Sequence, residues 1–385
     1  MMKLDAKLPH LGYRTAFALA FIIAFLVHLL LFCLSPMVEL IMTEMQLSHA
    51  QFGFVFSVAM ISLILFRLPW GLVADRRGYV GVLRIALVLS TVAAVLRAAS
   101  HGYAELLVSQ FILGLGLAAA MPCLGLMVRA WAQGRPGLGT GIYFAGFALG
   151  NATALAATPV LLTLMSWRQA SMLYAAVAGT VCLAWFLLGR SRPVANSAMH
   201  LGDIRLVMRQ PLVWVLLFLL VGSMGCYDTL AMWMPRVLQM KGLQPEFASL
   251  LPAGFLVAGP VTGLVLDRFP SRRMLVALLG VSAAACTALM ISTSLPLLLF
   301  CLFAVGFTTT GVSVTSLTMS VERRELSPYA GTVVGFVTSA SNVGPLVVPV
   351  VFGYLIDVTE FYTASIGFVA VMALVLFVGC ARLMK

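Results

Sequence analysis

Three ionisable residues stand inside long apolar runs of this chain: Arg67, Asp228 and His28. A charge at the centre of a bilayer costs about 3 kcal/mol or more unless it faces water, a partner or a ligand, so each is a candidate for chemistry. The guanidinium of Arg67 offers a planar fork that matches an anion bidentately. Its alternative is an arginine whose stem lies along lipid while the head snorkels to the interface. Asp228 has three roles open: a proton-coupling carboxylate, a partner for Arg67 in the empty protein, or the reader of a cationic or hydroxyl group on a solute. A residue wetted by solvent near an outer mouth is its plainer alternative. His28 is a proton-relay candidate or a hydrogen-bonded packing histidine. These groups are far apart in sequence and bring no nucleophile, metal-ligand cluster or nucleotide motif with them, so an intramembrane enzyme or sensor is a remote alternative and no cofactor or metal is expected. The seven cysteines are scattered singly with no C-x-x-C spacing and read as small core residues.

The elements that must position these groups are membrane helices. Hydrophobic residues make up 62% of the 385-residue chain and charged residues 10%, against roughly a quarter charged in soluble proteins. Apolar stretches long enough to span fall at about 13–35, 50–72, 82–100, 104–128, 138–163 and 170–188, then at 211–235, 247–266, 274–293, 296–319, 329–355 and 363–381. The first of these is too long for a signal-peptide core and is expected to remain as a span. Six spans on each side of a polar segment predict an all-α integral membrane protein with residues 1–188 as one six-helix bundle, 189–210 as a central cytoplasmic loop and 211–385 as a second bundle. The net charge of +11 sits in short turns rather than in a basic tail, which argues for the lipid bilayer and against nucleic acid as partner. With the N-terminus inside, inner loops and tails hold all but five of the 24 Lys and Arg. That asymmetry predicts a multi-pass protein of a bacterial-type inner membrane with both termini cytoplasmic. Trp70, Trp131, Trp167 and Trp214 fall near span ends and read as interfacial anchors.

The two bundles read as copies. Gly71-Leu-Val-Ala-Asp75-Arg76 returns 192 residues later as Gly263-Leu-Val-Leu-Asp267-Arg268, and Gly114 matches Gly306 at the same offset. Each copy places an Asp-Arg turn directly after an apolar span, the pattern of duplicated transporter halves with a site between them.

With Gly71, Asp75, Arg76 and Gly78 in the turn after the second span, the chain resembles the major facilitator superfamily, whose signature there is G-x-x-x-D-R-x-G. The resemblance covers essentially the whole chain. It implies two pseudo-symmetric six-helix bundles and a conformational latch formed by Gly71, Asp75, Arg76, Gly78, Gly263, Asp267 and Arg268. Asp75 would cap a neighbouring helix N-terminus in one conformation and release it in another. Tyr79, Val80 and Gly81 depart from the basic residues usual after the signature glycine, and Pro270 stands near the glycine position of the second copy.

Arg67-Leu-Pro-Trp-Gly71 resembles the R-[LI]-P-x-G run of nitrate/nitrite porters, where the arginine grips the anion. Gly146-x-x-x-Gly150-Asn151 is similar to the Gly-rich stretch of the same porters, and the segment from Tyr227 to Pro235 resembles the W-x-P region of cyanate-type transporters. The resemblance also implies that the first, fifth, seventh and eleventh spans face the cavity, which nominates Tyr143, Asn151, Tyr227, Trp233 and Asn342 beside Arg67 as solute-binding residues. Two departures matter: Gly259 stands where those porters carry a second arginine, and Gln110 replaces an arginine usual in the fourth span. A two-arginine nitrate clamp is therefore absent.

The expected function is secondary active transport of a small solute by alternating access, with a small anion or organic acid as the solute and a coupled proton or counter-anion as a further partner. The protein is expected to act as a monomer. A proton-driven exporter of drugs or metabolites is the alternative, favoured by Asp228 and the 21 methionines. A channel fits poorly because no pore-loop pattern is present.

Overall fold

The computed structural model describes residues 9–131, 136–191, 201–269, 271–292, 294–323, 326 and 330–384. Twelve helical spans are long and apolar enough to cross a membrane. They are α1 (Arg14–Met45), α2 (His49–Arg77), α3 (Tyr79–Ala99), α4 (Tyr103–Trp131), α5 (Leu138–Leu162) and α6 (Trp167–Leu188), then α7 (Pro211–Met240), α8 (Pro245–Leu266), α9 (Arg272–Leu289), α10 (Leu295–Ser320), α11 (Thr332–Thr359) and α12 (Tyr362–Leu383). Large apolar side chains such as Leu65, Val108, Phe300 and Val371 are exposed on the outside of the bundle, the surface that lipid requires.

The spans run longer than the apolar runs that predicted them. In α1 the chain passes through a 3-10 turn at Ser35–Met37 and continues as a helix to Met45, which places Glu39 and Glu44 inside the span. Local chemistry sets several ends. At the start of α2 the Ser48 side chain accepts from the Gln51 N–H while the Gln51 side chain accepts from the Ser48 N–H, a reciprocal cap that satisfies two otherwise free donors. At its other end Gly78 sits at φ 86°, a left-handed conformation that a side chain would strain, so the last residue of the G-x-x-x-D-R-x-G signature is a backbone requirement.

The two halves repeat one packing scheme: α1 on α5, α2 on α4, α3 on α4 and α6 in the first, and α7 on α11, α8 on α10, α9 on α10 and α12 in the second. The repeat holds to the level of single atoms. A β-carbon at Gly114 would stand 2.3 Å from the Ala59 carbonyl oxygen, and one at Gly306 would stand 1.9 Å from that of Leu251. Ala59 and Leu251 are themselves 192 residues apart. One turn along, the Ser62 hydroxyl donates to the Phe111 carbonyl at 2.8 Å, and at the equivalent place the backbone of Gly254 lies against that of Phe303. Small residues let α2 and α4, and α8 and α10, approach closely where hydrophobic drive between helices is missing.

The halves meet through α2 on α11, α5 on α8 and the 3-10 turn of α1 on α7. Because spans alternate in direction, one end of the bundle carries the start of α1 and the end of α12 (the terminal end), and the other is the far end. Contacts across the seam concentrate at the far end. There Ser35 Oγ donates to the carbonyls of Ala231, at 2.8 Å, and Met232, Glu39 pairs with Arg236, and Asp357 accepts from the first residues of α2.

Several side chains differ from expectation. Trp131 and Trp167 are buried, donating to the Tyr79 hydroxyl and the Glu44 carboxylate, whereas Trp214 is 39% exposed. Helix packing turned the first two inward from span ends that a linear reading assigns to the interface. Arg97, in the last turn of α3, is 1% exposed. Its guanidinium lies against Cys33 Sγ at 3.0 Å and the side-chain oxygen of Gln110, so α3 delivers a cation beside the α4 position where Gln110 replaces an arginine.

Candidate functional site

The site is built on α2, α5, α7, α8 and α11, at the depth where the halves part. Arg67 lies eight residues before Asp75 on α2, about 12 Å along the helix axis. Its Nη1 donates to the Thr338 carbonyl of α11 at 2.7 Å. That carbonyl takes side-chain donors, the Ser341 hydroxyl at 3.1 Å among them, because α11 is broken: one helix ends at Ala340 and the next begins at Val343. Asn342 fills the break and is 95% buried, its Nδ2 donating back to the carbonyls of Thr338 at 2.9 Å and Ser339 at 3.0 Å. The C-terminal end of a half-helix, which carries partial negative charge, thus faces the guanidinium. Arg67 forms no ion pair, and its Nε is buried without an acceptor. One nitrogen is held by the protein, and the Nε/Nη2 edge, the bidentate face of the fork, is left over.

On α7, Tyr227 and Asp228 are adjacent. Tyr227 is buried, its hydroxyl accepts from Asn151 Nδ2 of α5 at 3.0 Å, and its ring lies 5.5 Å from that of Phe255 on α8. Asn151 Oδ1 has no partner although the residue is fully buried. Asp228 is half-buried and accepts no hydrogen bond. It lies within electrostatic reach of Arg67 without forming a direct ion pair. The structure therefore brings Arg67, Asn342, Asn151, Tyr227 and Asp228 to one region across the seam.

Beside them is room. Gly259, the counterpart of Arg67, lies one turn beyond Phe255 on the same face of α8, and a β-carbon there or at Gly263 meets nothing within 4 Å. At the place where the second copy would carry an arginine, the missing side chain leaves open space toward the terminal end.

The other nominated residues lie apart from this group. The His28 ring sits 4.6 Å from Phe147 and 5.5 Å from Phe32, with Nδ1 unpartnered. Tyr143 is buried beside Phe144 and Phe147. Trp233 is fully buried nearer the far end, donating to the Pro349 carbonyl at 3.1 Å and packed on Phe352 and Phe52. In the last turn of α2, Asp75 and Arg76 are exposed, and Asp75 is within electrostatic reach of Arg129 of its own half. A β-carbon at Gly71 would stand 3.5 Å from that of Pro122, and Arg268 is exposed. The side chain of Asp267 lies outside the described residues.

Sequence reasoning missed Thr338 and Phe255. Thr338 acts through its backbone carbonyl, for which side-chain identity is no signal. Phe255 is one apolar residue in an apolar span, and only its turn-by-turn spacing to Gly259 and Gly263 hints at a shared face.

A twelve-span helical bundle of two repeated halves, with an uncompensated arginine and an open space between them, is the architecture of a solute transporter. The model of the Major Facilitator Superfamily matches residues 20–258 and 247–384, and the chain belongs to that family. It is a membrane transporter, not an enzyme, and it resembles the nitrate/nitrite porters within the family. Over 346 residues it is 27% identical to a probable nitrate/nitrite transporter, NarK2, of Mycobacterium tuberculosis, covering 86% of this chain and 87% of the relative. Over 368 residues it is 27% identical to a probable sulfoacetate transporter, SauU, of Cupriavidus necator, covering 86% and 84%. The fold matches that of a bacterial homolog of the human lysosomal transporter Spinster, solved in an inward-facing and occupied conformation, with a TM-score of 0.77 at 16% identity over 96% of each chain.

Proposed function

We propose that this transporter carries a small monovalent or organic anion by alternating access, and that the free edge of Arg67 grips it. The observation that carries the reading is a guanidinium held by one carbonyl, with a buried Nε lacking any acceptor and no carboxylate in pairing distance. A buried unsatisfied donor costs about 1–3 kcal/mol, which an anion bridging Nε and Nη2 would recover. Relatives named for nitrate/nitrite and sulfoacetate support an anionic solute. Gly259 in place of a second arginine favours a solute larger or less symmetric than nitrate, with Asn151, Tyr227 and Asn342 reading its uncharged parts. Asp228 shares the field of Arg67 and takes up the coupled proton when the anion arrives, since two negative charges beside one guanidinium repel each other. The positive charge at the terminal end supports a cytoplasmic location for both termini in an inner membrane, and in that orientation the closed far end faces outward. The test is counterflow in proteoliposomes against a panel of nitrate, nitrite, sulfonates and sugar acids. Accumulation of at least one anion that is lost in Arg67→Ala and in Arg67→Lys is expected, and unchanged transport in both variants would remove Arg67 from the site.

A further inference from the structure

We propose that Asp357 is the latch that holds the far end closed. The proposal rests on the alternating-access part of the reading above and not on the solute. α2 and α11 run antiparallel and in register for most of their length. His49 meets Asp357 and Gly353, Gly53 meets Pro349, Ser57 meets Pro345, Ser339 meets Ile64, and Arg67 meets Thr338. Two glycines set this close approach: a β-carbon at Gly353 would stand 2.3 Å from the His49 carbonyl oxygen and one at Gly53 would stand 2.5 Å from that of Pro349.

At the far end the Asp357 carboxylate closes onto the start of α2. Oδ1 accepts from the His49 N–H at 2.9 Å and contacts His49 Nδ1 at 2.7 Å, while Oδ2 accepts from the Ala50 N–H at 2.8 Å. The cap formed by Ser48 and Gln51 leaves these two donors of the first turn unsatisfied, so the helix needs an acceptor from outside its own sequence. Asp357 supplies it from the other half, with its charge at the positive end of the helix dipole. Opening the far end exposes both donors and the carboxylate to water and ends the contact.

Labelling from each side of the membrane tests this. In a cysteine-free background, Ser57→Cys reports on the far seam and Gly259→Cys on the terminal side, read by membrane-impermeant maleimide in oriented vesicles without solute. Asp357→Asn is expected to raise far-side labelling of the first by about five- to thirty-fold, the range a charge on a partly buried helix terminus supplies, and to lower labelling of the second. Asp357→Ser, neutral and small, gives the same reading should the Asn variant fail to insert, and His49→Ala, which keeps both backbone donors, is expected to change labelling less than two-fold. Unchanged labelling in both neutral Asp357 variants would overturn the proposal, as would lower far-side labelling in them, or a His49→Ala effect equal to theirs. Arg67→Ala separates the two readings, because its loss of transport with normal labelling concerns the solute site alone.

Discussion

Two of the contacts that form the seam between the halves are symmetry-related, α2 on α11 and α5 on α8, and they have diverged. The α2–α11 contact is tight and charged: glycines bring the backbones together, Arg67 reaches a broken-helix carbonyl, and Asp357 caps the start of α2. The α5–α8 side is neutral and loose: Asn151 of α5 and Phe255 of α8 both meet Tyr227 of α7, and beyond Phe255 a β-carbon at Gly259 or Gly263 would meet nothing within 4 Å. One seam supplies charge and the other supplies room. A duplicated protein can bind an unsymmetrical solute only if its halves stop matching at the site, and this pair stops matching at Arg67 and Gly259.

Five substitutions break or sharpen that contrast. The largest effect is expected from Arg67→Ala, which removes the charge of the tight seam; anion uptake should fall by about 30-fold or more, as for truncation of one partner in a buried charged contact. Asp228→Asn should abolish uptake driven by a pH gradient while leaving exchange of labelled for unlabelled solute at equal pH. Exchange lost together with gradient-driven uptake would instead assign Asp228 to solute binding. Within each half, Gly114→Ala and Gly306→Ala should each lower thermal stability in detergent by about 1–3 kcal/mol through overpacking. A large difference between the two would mean that the repeated scaffold is not equally tight in both halves. The smallest effect is expected from Gly259→Ala, whose new methyl meets open space and whose helix propensity improves by up to about 1 kcal/mol. A clear destabilisation there would show that the loose seam is filled.

Much of this was legible from the chain alone. The span count, the duplication at an offset of 192 residues and the intramembrane position of Arg67 and Asp228 all follow from local runs of residue type. Helix pairs held by Gly114 and Gly306 were visible as a repeat of glycines, although not as contacts. Trp131 and Trp167 were misplaced because position along a span says nothing about which way a side chain turns once neighbours pack. Asp357 gave no sign, since a carboxylate near a span end has the same appearance whether it meets water or the first turn of a helix 307 residues away.

The division has one physical cause. Lipid forces each span to satisfy its own backbone hydrogen bonds, so helices, their number and their charged turns are written locally and can be read without the fold. Which residues meet across the seam depends on the rotation and register of helices distant in sequence, set by close glycine contacts and by a break in α11. Only the tertiary structure decided that Arg67 keeps a free edge, that Gly259 faces a space, and that Asp357 closes the far end while Asp75 stands exposed.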